Sequence, residues 1–173
     1  ASYILATVIF DLTVELCRRW VDPKSRTTDQ MTQAARSGKQ NIAEGASVQS
    51  LESYIKLLGV TECSQRELAA DYEDFLRQRK LPIWDKEDER VRRVREFRAV
   101  WLSPNQPNTP NLPNSPEVAA NTLLTFCQME TFLLKRQIES LKEKFVREGG
   151  FRENLFKKRI QYKNTNGKVC TGY

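Results

Sequence analysis

From residue 149 onward the chain carries Arg152, Lys157, Lys158, Arg159, Lys163 and Lys168 against one carboxylate, Glu153. Six minus one leaves +5 on this tail. The whole 173-residue chain carries +6, so the body before it is nearly neutral at +1. The chemistry open to such a cluster is ionic. A cation seated on a phosphate releases counterions condensed on the polymer, and a concentrated set favours a nucleic acid as partner. The same composition also suits a solvated end that keeps the protein dispersed.

Other chemistries find little material. There is no histidine, which removes histidine triads, histidine general bases and histidine-built metal centres. No glycine-rich phosphate loop or Gly-x-Ser-x-Gly elbow occurs, and no cysteine lies beside a base. Asp71, Glu73 and Asp74 could in principle hold a cation, but carboxylates on a charged helix are ordinarily solvated. Cys17, Cys63, Cys127 and Cys170 are widely spaced without a Cys-x-x-Cys pair, as expected of reduced, mostly buried thiols. No apolar run approaches the roughly 20 residues that span a bilayer, and Tyr3 to Phe10 lacks the basic start and small-residue cleavage site of a secretory signal. The expectation is a non-catalytic cytoplasmic protein with no metal, cofactor or membrane partner.

Helices must position these groups, because no strand-like alternation is present. The first runs from Tyr3 to Val21. One heptad-like frame visits Tyr3, Phe10, Val14, Cys17 and Val21, and a second visits Ile9, Leu12, Leu16 and Trp20. Such a helix should be buried on more than one side, with the second frame supplying contacts between subunits. Asp22-Pro23 stops it. A second helix, capped by Ser25, Thr27 or Thr28, carries a stripe of Met31, Ala34, Ala35, Gly38, Ile42 and Gly45. Arg36, Lys39, Gln40 and Glu44 lie off the stripe. A mid-helix glycine costs about 1 kcal/mol against alanine, so Ala34 and Gly38 predict close approach of another backbone. Gly45 is expected to close the helix in the left-handed conformation.

The third helix runs from a Ser47 or Ser50 cap to about Arg79, where Pro82 ends it. Its middle turn, Thr61, Glu62 and Gln65, is polar and is expected to face solvent. The alternative is a polar layer that fixes register or lines a subunit contact. Asp85 to Leu102 forms a charged helix with Val91, Val94, Phe97 and Trp101 on one face. Its arginines are offset by Asp85, Glu87, Asp88, Glu89 and Glu96, so it reads as an ordinary amphipathic helix.

Pro104 to Pro116, with proline at every third position, predicts a polyproline II strut. A last long helix spans Glu117 to about Arg147 and closes at Gly149-Gly150. Phe151 to Ile160 would add one or two turns docked through Phe151, Leu155, Phe156 and Ile160, followed by loop from Asn164. The class is all-α: an antiparallel up-down-up-down four-helix bundle over residues 1–148 and a basic extension over 149–173. The insertion at 80–116, a charged helix and the strut, either leaves the bundle and returns or supplies a fifth core helix.

Gln33-Ala-Ala-Arg-Ser37, Gln40-Asn-Ile-Ala-Glu-Gly45, a serine-rich turn and Glu67-Leu68 resemble bacterial four-helix-bundle proteins encoded in intervening sequences of large-subunit ribosomal RNA genes. Arg26-Thr27, Asp29-Gln30-Met31, Asp71-Tyr72 and Asp74-Phe75-Leu76 resemble the branch with a C-terminal suffix domain. The likeness covers about Tyr3 to Arg79, weakens over Glu117 to Arg147 and is absent from the proline segment. It implies a ring-like homo-oligomer, commonly a pentamer, that binds structured RNA. A related bundle serves retroelements by joining a reverse transcriptase to its template RNA, so a reverse transcriptase or other operon partner is implied too. The motif positions are then Ala34, Gly38, Asn41, Glu44 and Gly45. The expected nucleic-acid contacts are Arg152, Lys157, Lys158, Arg159 and Lys163, helped by Arg36 and Lys39. The alternative function is a protein–protein interaction scaffold without specific nucleic-acid binding.

Overall fold

Three serines set three of the helix starts. The Ser25, Ser50 and Ser115 hydroxyls accept from the amides of Thr27, Ser53 and Val118 at 3.2, 3.4 and 3.4 Å, satisfying donors that a first helical turn leaves open. The computed structural model describes residues 2–101 and 111–166, and the side chains of all of these but 97–101 and 166. Among them are six α-helices and no strand: α1 (Ser2–Trp20), α2 (Arg26–Ser47), α3 (Leu51–Gln78), α4 (Glu89–Trp101), α5 (Pro116–Glu148) and α6 (Phe151–Asn166). The protein is all-helical over these residues.

α1 packs on α2, α2 on α3, α3 on α5 and α5 back on α1, while α4 lies against α5. The apolar core falls into two parts. The larger gathers Leu12, Leu16, Met31, Ala35, Leu68, Tyr72, Leu123 and Phe126 among others; the smaller is Ala6, Ile42, Leu58, Leu134 and Ile138. Chain order through them reverses from α2 to α3 and again from α3 to α5. α3 runs from the smaller cluster to the larger, α2 and α5 from the larger to the smaller, and α1 touches the smaller cluster only near its start, at Ala6 beside Leu5 of the larger.

Between the clusters lies a polar layer. Gly38 separates Ala35 from Ile42, Thr61 and Gln65 separate Leu58 from Leu68, and Glu130 separates Cys127 from Leu134. Thr61, Gln65 and Glu130 are wholly buried and Ser64 nearly so, which corrects the expectation that this turn faces solvent. Only Glu62 keeps partial exposure, paired with Arg66 at 2.7 Å. The physical reason is Gly38. A Cβ there would stand 2.6 Å from the Gln65 amide nitrogen, so the missing side chain is the space the amide fills.

Both apolar frames of α1 are present, but they face differently from expectation. Ile9, Leu12 and Leu16 are buried within this one chain, so they are not surplus for a subunit contact. The outward surplus is Tyr3 and Val14, 47% and 40% exposed. Gly45 does not close α2, which continues to Ser47 with Val48 as its cap. It is buried in the last turn of α2, where a Cβ would meet the Tyr54 ring at 2.5 Å. Tyr54 is held in turn by a 2.6 Å hydrogen bond from Gln137.

α3 ends in a Schellman turn. The Leu81 amide reaches the Leu76 carbonyl at 2.9 Å and the Lys80 amide the Arg77 carbonyl at 3.0 Å, with Lys80 left-handed at φ 55°. A side chain at that position costs roughly 1 kcal/mol. Lys80→Gly is therefore expected to raise stability by up to about that amount, read as a higher urea midpoint at unchanged m-value. An unchanged midpoint would mean that the strain is relieved elsewhere.

The segment after Pro82 is anchored before α4 begins. The Trp84 amide and indole donate to Asn121 and Glu117, each at 2.9 Å, and Arg90 lies 4.4 Å over the Trp84 ring. Val91 is buried, so the first half of α4 lies on the body rather than clear of it. Most of the proline segment is outside the described residues. Its end is anchored too: Leu112 is in the larger cluster, and Arg19 donates to the Leu112 carbonyl and Asn114 at 3.4 and 3.1 Å. Cys17 and Cys127 are buried, with thiol pKa raised by burial, to about 11 for Cys17. Cys63 is the exposed one of the three described thiols, and Cys170 lies outside the described residues.

Candidate nucleic-acid interface

α6 begins where α5 is forced to stop. Gly149 adopts φ +77°, open mainly to glycine, and its amide closes α5 on the Phe145 carbonyl at 2.8 Å. Gly150 then passes so near the Phe145 ring that a Cβ would stand 2.9 Å from it. From there α6 runs 16 residues, longer than the one or two turns expected and continuing through Asn164.

No other described helix packs extensively on α6. Phe151, Leu155, Phe156, Ile160 and Tyr162 are all exposed, Phe156 at 64% and Tyr162 at 69%. The expected docking through the first four is therefore corrected, and the reason is angular. At about 100° per residue, Phe151, Leu155 and Tyr162 share one line, while Phe156 and Ile160 share another roughly 140° away. Arg152, Arg159 and Lys163 fall between them. Cations interrupt what would otherwise be one apolar stripe, so α6 has no face to lay on a core.

The result is a strip of positive charge bordered on both sides by rings and aliphatics. Arg152, Arg159, Lys158 and Lys163 have no carboxylate partner among the described residues. Lys157 does: it pairs with Glu153 at 2.8 Å, and that pairing lowers the Glu153 pKa. Exposed cations alternating with exposed rings suit a nucleic-acid strand, with phosphates on the cations and bases against the rings.

On the same angular count Lys157 lies on the opposite side of α6 and Lys158 beyond the Phe151 line, so neither is in the strip, and the two other predicted contacts are not part of it either. Arg36 is exposed midway along α2, beside the polar layer. Lys39 is half-buried with its ammonium 4.8 Å over the Phe10 ring. α6 starts instead near the head of α3, where a Cβ on Gly150 would be 3.6 Å from Glu52. Of the motif positions, Gly38 and Gly45 are close-packing sites, Ala34 is half-buried against the larger cluster, Asn41 donates to the Ser37 hydroxyl at 3.2 Å, and Glu44 is exposed.

Sequence reasoning missed one convergence. Arg26, Asp29, Gln33, Ser37, Glu67 and Asp71 line a single open groove of about 690 Å³ between α2 and α3. Burial raises the pKa of Asp71, with Asp74 and Glu67 adding to it. Three carboxylates against one guanidinium make this groove negative and unsuited to phosphate. The signal lies in shared spacing, since the residues quoted for the family resemblance are those that meet here. Among the described residues no group of three His, Cys, Asp or Glu side chains is placed to hold a metal ion, and no helix is long and apolar enough to cross a membrane. In comparisons with known proteins, no family model, no curated protein and no solved structure matches the chain.

Proposed function

We propose that this protein is a non-catalytic nucleic-acid-binding bundle, with RNA as its partner and α6 as the main contact. The observation that carries the reading is α6 itself, a helix on which no other helix packs extensively, with its cations and rings exposed together. A helix kept in water with five large apolar side chains exposed needs a partner to cover them. The free cations beside them select an anionic one. The resemblance to the bundle proteins of ribosomal RNA intervening sequences and to retroelement accessory factors agrees with this role, and a reverse transcriptase or other operon partner belongs to the same proposal, as does a cytoplasmic setting.

We further read the body as an antiparallel four-helix bundle of α1, α2, α3 and α5 with α4 as an insertion. The reversal of order through the two core clusters from α2 to α3 to α5 and the closed cycle of helix contacts support it. Assembly into a ring would use the outward frame of α1, Tyr3 and Val14 with half-buried Phe10. One experiment addresses both parts: size-exclusion chromatography with light scattering and ultraviolet absorbance. The expected result is an oligomer at micromolar concentration that elutes with nucleic acid at low salt and without it at high salt. A monomer would remove the ring, and freedom from nucleic acid with no binding of added RNA would favour an interaction scaffold.

A further inference from the structure

A second positively charged surface lies between α3 and α5, beneath α4. Ala69 and Ala70 give α3 little side-chain bulk there, leaving a trough that Arg95 overhangs from α4. Two cavities of about 470 and 430 Å³ adjoin at Arg95 and Gln128, which line both, and are taken together as one groove. Arg66, Lys86 and Arg95 line its first part with one carboxylate, Glu73, and its second part ends on Phe132. Phe132 is 60% exposed, with the Arg136 guanidinium 5.9 Å over its ring.

The pairing of these cations sets Lys86 and Arg95 apart from Arg90 and Arg93 of α4. Arg90 is committed to Asp88 and Glu117, and Arg93 to Glu89. On α3, Arg66 is paired with Glu62, which Lys135 also approaches at 3.8 Å. Lys86 and Arg95 are exposed and make no ion pair among the described residues. Charge balance along the sequence makes α4 look like an ordinary amphipathic helix. In three dimensions Asp88 and Glu89 are taken by Arg90 and Arg93, and Arg95 lines the groove without an ion-pair partner among the described residues.

We propose that this groove binds an unpaired stretch of the nucleic acid, with a base stacked on Phe132 and phosphates on Lys86 and Arg95. Bases inside a duplex are already stacked on one another and cannot reach the ring, so the groove favours single strands. An acidic peptide would meet the cations but offers no regular series of planar faces for Phe132. The proposal rests on the RNA reading of α6 and adds to it: α6 holds the polymer by charge, and the groove reads whether a stretch of it is unpaired.

The test measures binding of the full chain to an unstructured oligouridylate and to an RNA duplex of equal length. Phe132→Leu, and separately Lys86→Gln with Arg95→Gln, should weaken oligouridylate binding about tenfold and leave duplex binding unchanged, while Phe132→Tyr should retain it. Unchanged melting temperatures would establish that the variants fold. Replacing Lys157, Lys158 and Arg159 with glutamine should weaken both ligands. If groove variants alter neither ligand, or both equally, the groove proposal is overturned and the role of α6 stands. Loss in the groove variants with none in the α6 variant would overturn the α6 reading alone, and no binding by the parent protein to either RNA would overturn both. Polyglutamate competing as well as oligouridylate at equal charge would replace the proposed occupant with an acidic protein segment.

Discussion

Changing Lys157, Lys158 and Arg159 together to glutamine is expected to weaken binding of a structured RNA roughly a hundredfold at low salt, and to lower the slope of log affinity against log salt by about 2. Both follow from counterion release, since each lost phosphate contact removes about 0.7 to 0.9 from the slope. The expected change lies toward the low end for three cations because Lys157 and Lys158 lie to either side of the strip that holds Arg159, and Lys157 is already shared with Glu153. Neutralising Lys157 also frees the Glu153 carboxylate to repel the polymer. Thermal stability should hardly move, because all three side chains are exposed and no other helix packs extensively on α6. Titrations at several salt concentrations, paired with melting curves, make the comparison. Parallel salt slopes for parent and variant would mean that α6 does not touch phosphate.

Gly38→Leu is expected to destabilise the protein by about 3 kcal/mol, at the upper end of overpacking costs, or roughly 6 to 12 °C in Tm at this chain length. A Cβ alone would already crowd the Gln65 amide nitrogen at 2.6 Å, with the Thr61 methyl next at 3.8 Å. Leucine adds three further carbons into that layer. Shortening Gln65 breaks no hydrogen bond, since its amide nitrogen and oxygen are buried without hydrogen-bond partners. Shortening it in Gly38→Leu/Gln65→Ala should therefore recover part of the loss, a coupling of about 0.5 to 3 kcal/mol. Gly59 is the control, because nothing lies within 4 Å of a Cβ there. Gly59→Ala should gain up to about 1 kcal/mol from helix propensity alone. A Gly38→Leu variant that melts no lower than the parent would show the layer to be loose.

The features legible along the chain are local ones. The stripe of α2 is buried at Met31, Ala35, Gly38, Ile42 and Gly45 as expected, because the 3.6-residue period is a property of the helix itself. The caps are visible in the residue order as a choice among Ser25, Thr27 and Thr28 and between Ser47 and Ser50, since a cap satisfies amides two or three residues away; the structure selects Ser25 and Ser50. The concentration of cations after Gly149 is visible too, being composition. The polar layer is legible only as an alternative, and the choice depends on whether a glycine or a large side chain stands opposite Gln65.

Whatever depends on the other side of a contact is settled by tertiary packing. Both frames of α1 are apolar, and only the presence of α2 and α5 determines that Ile9, Leu12 and Leu16 turn inward while Val14 turns out. Gly45 followed by a serine-rich turn has the composition of a helix stop, yet the Tyr54 ring makes it a site of close approach inside the helix. The four apolar residues of α6 suggest docking, but charges alternate with them around the helix and leave no continuous face to bury. Arg95 and Phe132 are 37 residues apart, and Ala69 and Ala70 belong to a third helix. Elements and their charges can be read from residue order because they arise from neighbours along the chain; burial, pairing and grooves arise between elements, where the partner's shape and free cations decide the outcome.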